Sequence, residues 1–275
     1  MHLFLVKGFL LGLITGSFLN VVINRLYAKE DIVKKRSYCP HCKKVLKWYE
    51  LIPIVSFIVQ KRRCRGCGDK ISWQYPIVEI VTALLFLQAS NNVGYQFIWE
   101  TLFLWSILSG LIVIFVYDLK HFIIPDLVLV PIVVLVLIFR FLDFWSLGSS
   151  NLFKNWFAGW GIGIGNPQTV LASIAVALLV ALPFAALHFL SRGTWMGFGD
   201  VKLAFFMGLL LGLHNALVAL FVAFVAGGIM GVILILTKGK KLKSQIPFGP
   251  FLVLGTYVAL FWGQGIIDWY FSLLL

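Results

Sequence analysis

The stretch VLASIAVALLVALPFAALHFL, residues 170–190, contains no Asp, Glu, Lys or Arg. A helix of that length reaches about 30 Å, the thickness of a bilayer's hydrocarbon core. It is not isolated. Apolar segments run at 2–24, 76–90, 97–117, 123–144, 168–190, 201–213, 214–237 and 246–274. Hydrocarbon offers the backbone no hydrogen-bond partner, so runs of this kind must become helices that satisfy their own amides. Hydrophobic residues make up 60% of the chain and charged ones 12%, more apolar surface than a soluble domain of this length needs. The reading is an all-α polytopic membrane protein with about eight transmembrane helices. Segments 76–90 and 201–213 are short for a full span, which implies partial burial against neighbours. The first segment does not read as a cleavable signal. It carries Ser17, Asn20 and Asn24 and lacks a small-x-small cleavage site before the basic loop.

The cations fix a direction. Thirteen of the 23 Lys and Arg lie between Arg25 and Lys70, and four more at Lys238, Lys240, Lys241 and Lys243. Alternate loops and their edges, 25–75, 118–122, 191–202 and 238–245, together hold 20, while the opposite side holds Lys7, Arg140 and Lys154. By the positive-inside rule the basic loops face the cytoplasm and both termini face out. The net charge of +12 therefore reports topology and suits anionic lipid headgroups. No base-stacking platform accompanies it, so nucleic acid is not an expected partner. The outer loop at 145–167 holds GWGIGIG at 159–165, but no βαβ pattern surrounds it, and an interfacial loop with Trp anchors is the better reading. Gly12 with Gly16, and Gly227 with Gly231, form GxxxG pairs, which in membrane helices mark close packing.

All four cysteines lie in the first basic loop, as Cys39-Pro-His-Cys42 and Cys64-Arg-Gly-Cys67. Two strict CxxC pairs bring four thiolates to one tetrahedron, as in zinc ribbons. A reducing compartment argues against two disulfides. Four thiolates close the coordination shell, so zinc here is structural, and it supplies folding energy to a loop too small for a core. His41, inside the first pair, reads as a solvated knuckle residue rather than a fifth ligand. The expected organisation is a first helix over 1–26, a four-Cys zinc loop over 27–75 and a membrane core over 76–275.

Two further sites stand out at cytoplasmic helix edges. GFGDVK at 197–202 places Asp200 among glycines, just before a hydrocarbon run, and YDLKHFIIPD at 117–126 supplies Asp118 and Asp126. Carboxylates at such depth are functional candidates. Two that share a site hold one proton between them, so that one can take a proton from water while the other polarises a peptide carbonyl. Gly197 and Gly199 would let backbone approach a bound peptide. The plainer alternatives are a helix cap or ion pairs, Asp200 with Lys202 or Arg192 and Asp118 with Lys120. A proton-coupled transporter would also use membrane carboxylates, but it usually shows repeated halves, which this chain lacks. A non-catalytic membrane adaptor carrying the zinc loop is the other rival.

The chain resembles the type IV prepilin leader peptidases, membrane aspartic peptidases of the GxGD kind. The likeness is carried by GSFLNVVINRL at 16–26, CPHCKKVLKWYELIPIVSF at 39–57, CRGCGDKISWQYPIVE at 64–79, YDLKHFIIPD, GFGDVKL at 197–203 and IPFGPFL at 246–252. The resemblance implies an inner-membrane enzyme that cuts the short basic leader from prepilin-like proteins, just before their apolar helix and after a Gly. It implies Asp118 and Asp200 as the catalytic carboxylates, with Asp126, Lys202, Gly197 and Gly199 in support; capping the fourth helix is a plausible job for Asp126. Members with the four-cysteine loop also methylate the new N-terminus with S-adenosylmethionine, and this second activity is expected too. Glu79 is a candidate for the polar end of the cofactor site, with a dipole-favoured carboxylate at a helix N-terminus as the equal alternative. Pilus or secretion assembly proteins are the expected further partners. Ser17, Asn20 and Asn24 share a helix face and either line the substrate groove or, the preferred reading, hydrogen-bond a neighbouring helix. Pro247 and Pro250 break the last segment near the cytoplasmic face, as a re-entrant turn or a plain helix start.

Overall fold

A computed structural model of the chain describes residues 2–32, 34–93, 98–145, 169–238 and 247–274. Among these residues the regular elements are helical, and six helices are long and apolar enough to cross a membrane. The helices are α1 (His2–Ala28), α2 (Val55–Val59), α3 (Gln74–Val93), α4 (Ile98–His121), α5 (Asp126–Trp145), α6 (Thr169–Leu190), α7 (Phe198–Lys238) and α8 (Gly249–Leu274). The expected all-α membrane architecture is present. The GWGIGIG loop and the cluster Lys240, Lys241 and Lys243 lie outside the described residues. Many large apolar side chains point away from protein, among them Leu171, Leu182, Leu190 and Phe221. In water this would be an aggregation surface; on spanning helices it is the surface that lipid covers.

The chain divides into two compact units, Met1–Val113 and Ile114–Leu275, with α4 running from one into the other. In the first unit α1 packs on α3. Glycine makes that approach possible: a Cβ at Gly12 would sit 2.6 Å from the Ala83 backbone, and one at Gly16 would sit 2.7 Å from Glu79 Cα. The GxxxG reading at 12–16 therefore holds. The polar residues of α1 also pack as expected. Asn20 Nδ2 donates to the Tyr75 carbonyl at 3.2 Å, its Oδ1 accepts from Gln74 Nε2 at 3.0 Å, and Asn24 Nδ2 donates to the Tyr75 hydroxyl at 3.1 Å. Deeper in this unit Trp105 stacks on Phe86 and its indole N–H donates to the Phe86 carbonyl.

In the second unit α7 packs between α6 and α8. Here the small-residue contacts fall at Gly208 on Ala177 and at Gly255 on the Ala219 carbonyl. The second GxxxG is different. A Cβ at Gly231 would meet nothing within 4 Å, and one at Gly227 would make ordinary contact with Phe251, so this pair does not mark a close crossing. The two helices expected at 201–213 and 214–237 are both present within α7 and meet at Gly212, whose φ is 72° and ψ 176°. That backbone leaves the helical range, so carbonyls just before it lose their intrahelical partners. Buried Arg140 of α5 answers them: its Nη2 donates to the Leu209 carbonyl at 3.2 Å and lies 3.4 Å from that of Leu210. A charge buried in a span is tolerated where backbone carbonyls receive it.

The two GxxxG pairs give a direct test. Gly12→Leu should lower stability by about 1–3 kcal/mol through overpacking against Ala83, whereas Gly231→Leu should leave it near wild type. Thermal unfolding of the purified proteins in detergent measures both.

Candidate functional site

Three helix ends of the second unit supply one cavity of about 310 Å³, in which Asp118, Asp126 and Asp200 all take part in the lining. Asp118 stands in the last turn of α4 and is almost fully buried, at 4% exposure. Asp200 stands in the first turn of α7, where the free amides of a helix start favour a carboxylate. The two are close enough to interact electrostatically. Each also accepts a backbone N–H: Asp118 from Gly249, the first residue of α8, and Asp200 from Gly197. Sequence-distant carboxylates are thus brought to one site, as expected.

The glycines earn their positions by clearance. A Cβ at Gly249 would lie 2.5 Å from Asp118 Oδ2, and one at Gly199 would lie 3.1 Å from Ile124 Cβ. Gly197 has room, its Cβ position being 3.8 Å from Asp200 Oδ2; its contribution is the amide. Asp126 opens α5 and is largely exposed. Lys202 Nζ donates to both of its oxygens, at 2.7 and 2.8 Å. Lys202, foreseen as an ion-pair partner of Asp200, pairs instead with Asp126, and Asp200 accepts the Gly197 amide. The described part of the IPFGPFL segment, residues 247–252, is a plain helix start, with Pro250 inside the first turn where its missing N–H costs nothing. Chemically, the cavity offers two adjoining carboxylates able to share one proton, with an ion pair tying α5 to α7 at its edge.

The first unit holds the cysteines. All four Sγ atoms lie within 4.8 Å of one another, with Cys39–Cys67 at 3.9 Å and Cys42–Cys64 at 4.0 Å. A tetrahedron with metal–sulfur bonds of ~2.3 Å has sulfur–sulfur edges of about 3.8 Å, so the donor set fits a metal ion. The two CxxC turns are built alike. Cys39 N–H donates to the Lys44 carbonyl and Cys64 N–H to that of Asp69, and each turn closes through a positive φ, at Lys43 and at Gly68. Backbone N–H groups of Cys67 and Gly66 hold the Cys64 thiol down at about 6, while burial and the neighbouring cysteines push the Cys67 thiol up to about 11. His41 is not among the clustered donors. Its Nδ1 lies 2.8 Å from Asp69 Oδ2 and joins the two turns.

Glu79 is buried on α3. Its Oε2 accepts the Ile54 N–H at 2.8 Å, and Ser17 hydrogen-bonds the same carboxylate. Ile54 has φ 61°, a costly conformation for a β-branched residue. Glu79 is therefore the anchor that fastens this strained turn of the cysteine loop to the helix pair α1–α3.

Comparison with known proteins agrees with this picture. Residues 10–93 match the profile of the bacterial peptidase A24 N-terminal domain, and residues 105–232 that of the type IV leader peptidase family. A prepilin leader peptidase/N-methyltransferase of Legionella pneumophila is 32% identical, over 98% of this chain and 94% of its own. The chain belongs to the type IV leader peptidase family. A relative of the same name from Bacillus subtilis (strain 168) is also 32% identical, over 97% of this chain and 98% of its own, and one from Aeromonas hydrophila is 31% identical over 96% and 92%. No solved structure matches the chain.

At these sites sequence reasoning passed over Gly249 and Ile54, and read Ser17 as a packing group without naming its partner. Gly249 was legible only as a residue between prolines; its amide on Asp118 is a tertiary contact. Ser17 on Glu79 and Ile54 on Glu79 join segments far apart in the chain. For the cysteine cluster the expected outcome is about one tightly held metal ion per chain. Elemental analysis of the purified protein should find it, and the Cys64→Ser, Cys67→Ser double variant should lose it.

Proposed function

We propose that this protein cleaves the short basic leader from type IV prepilin-like proteins at the cytoplasmic membrane face, with Asp118 and Asp200 as the catalytic pair. The observation that carries the reading is the shared cavity lined by both carboxylates, in a chain of this family. One carboxylate, ionised, takes a proton from a water molecule as that water attacks the scissile carbonyl. The other, protonated, donates to the carbonyl oxygen. Collapse of the tetrahedral intermediate sends a proton to the leaving nitrogen and frees the new amino terminus. Gly249 and Gly197 support this by holding the carboxylates through their amides, and Gly199 by admitting Ile124. The Lys202–Asp126 pair steadies the entrances of α7 and α5. We place the protein in the bacterial inner membrane with both termini outside and the cysteine loop in the cytoplasm, on the strength of the cation distribution. Pilus or secretion assembly proteins are its further partners in this reading.

We assign the four-cysteine cluster to structural zinc. We also assign a second activity, methylation of the freed amino terminus. S-adenosylmethionine would supply the methyl group when bound. Glu79 is the residue we nominate to hold its polar end. A carboxylate has about four acceptor positions, and the bonds from Ile54 and Ser17 leave capacity for a cationic or hydroxyl group.

Two outcomes are expected. With a prepilin-like substrate, mass analysis should show leader loss by wild type, and Asp118→Asn or Asp200→Asn should slow it about 10³-fold or more while folding normally. Gly249→Ala, which displaces the Asp118 carboxylate, should cost about 10²-fold. Full cleavage by either Asn variant removes the assignment. Separately, Glu79→Gln should weaken S-adenosylmethionine binding about tenfold by calorimetry, with leader cleavage retained; unchanged affinity would move the cofactor elsewhere.

A further inference from the structure

Helix α4 ends on a left-handed cap that carries a large aromatic side chain. The Phe122 N–H donates to the Asp118 carbonyl at 2.9 Å, and Phe122 itself takes φ 57°. This left-handed cap is ordinarily a glycine, because a Cβ there crowds the backbone. Among the described residues with positive φ other than glycine, Phe122 is the sole aromatic one. Lys29 and Arg192, which end α1 and α6 in the same conformation, have charged side chains that water can solvate.

A bulky residue in this conformation is commonly compensated by packing. Phe122 keeps 54% of its surface clear of protein. What the turn does accomplish is direction. Phe122 lines the cavity of Asp118 and Asp200. Its neighbour Ile123 is 61% exposed and Phe198, across the cavity's other edge, is 48% exposed, and both line the same space. Beside two carboxylates, therefore, stands a half-exposed apolar wall, of which Phe198 also meets the His188 ring at 5.4 Å and the Lys202 ammonium at 5.1 Å. Strain retained at a site edge points to a functional demand on that side chain.

The occupant follows from the chemistry of the cut. A leader that ends at the membrane face is followed by an apolar helix, so the residue just after the scissile bond presents an apolar side chain beside the carboxylates. We propose that Phe122 is a specificity-determining residue whose ring receives that first apolar side chain, with Ile123 and Phe198 as the flanking wall. The left-handed cap holds the ring ready, which lowers the ordering cost on binding. This rests on the peptidase reading of the cavity.

The test separates the ring from the turn. Phe122→Gly keeps the cap and removes the ring; Phe122→Asn also tolerates the left-handed region and serves if the glycine variant fails to fold. Thermal unfolding of either variant in detergent should be at or above wild type. KM for a prepilin-like substrate should rise about tenfold, with kcat within about threefold, as loss of uniform binding requires. Phe122→Leu should recover most of the KM. A substrate with Ala as its first mature residue should show the same penalty with wild type, and Phe122→Gly should add nothing further. A residue that only caps α4 would give wild-type KM in Phe122→Gly, and that result overturns the proposal, as would fully additive penalties in the cycle. Asp118→Asn runs alongside. Cleavage by that variant refutes Asp118 as a catalytic carboxylate, and with it this cavity as the place of the cut, whereas its inactivity together with an unchanged KM in Phe122→Gly refutes the Phe122 assignment alone.

Discussion

Hydrocarbon gives a peptide group nothing to bond with, and the placement of polar chemistry in this protein follows from that. Inside a span the helix satisfies its own amides and carbonyls; only its ends and breaks leave groups over. Those are the places where the polar side chains collect. The free amide at the start of α8 meets Asp118, and the amide of Gly197, just before α7, meets Asp200. At the Gly212 break, Arg140 takes the released carbonyls of Leu209 and Leu210. One constraint thus builds both the candidate catalytic cavity and the dry repair of a broken helix.

Helix approach is governed by a second constraint. Lipid solvates Leu as well as another Leu does, so helices gain by close backbone packing rather than by hiding apolar surface. Gly12 and Gly16 against α3, Gly208 against α6 and Gly255 against Ala219 all serve this end. Gly227 and Gly231 have the same spacing as Gly12 and Gly16, yet no backbone comes near Gly231. Spacing is a property of one helix, whereas a crossing belongs to two, and the motif alone does not say where the partner lies.

The cysteine loop solves a different problem. It has too little apolar content to fold around a core, so its order comes from the paired CxxC turns, the His41–Asp69 contact between them and a tether to the helices. That tether is Glu79, which holds the left-handed Ile54 in place. Phe122 shows the same economy in the other unit: a single non-glycine residue in the left-handed region sets the course of the chain beside a carboxylate.

Local chemistry made much of this legible in advance. Run length and apolarity determined a helical membrane protein, CxxC spacing determined a four-thiolate cluster, and Asp118 and Asp200 were readable as membrane-edge carboxylates in recognisable motifs. The packing role of Asn20 and Asn24 was readable from their shared face on α1. The tertiary structure alone decided which groups meet. It joined Lys202 to Asp126 rather than to Asp200, set Gly249 on Asp118, gave Arg140 to the Gly212 break and tied Glu79 to Ile54. The reason is physical. Periodicity, propensity and ligand spacing act within a few turns of one segment. A hydrogen bond across helices depends on the register and depth at which distant segments dock, and packing sets both.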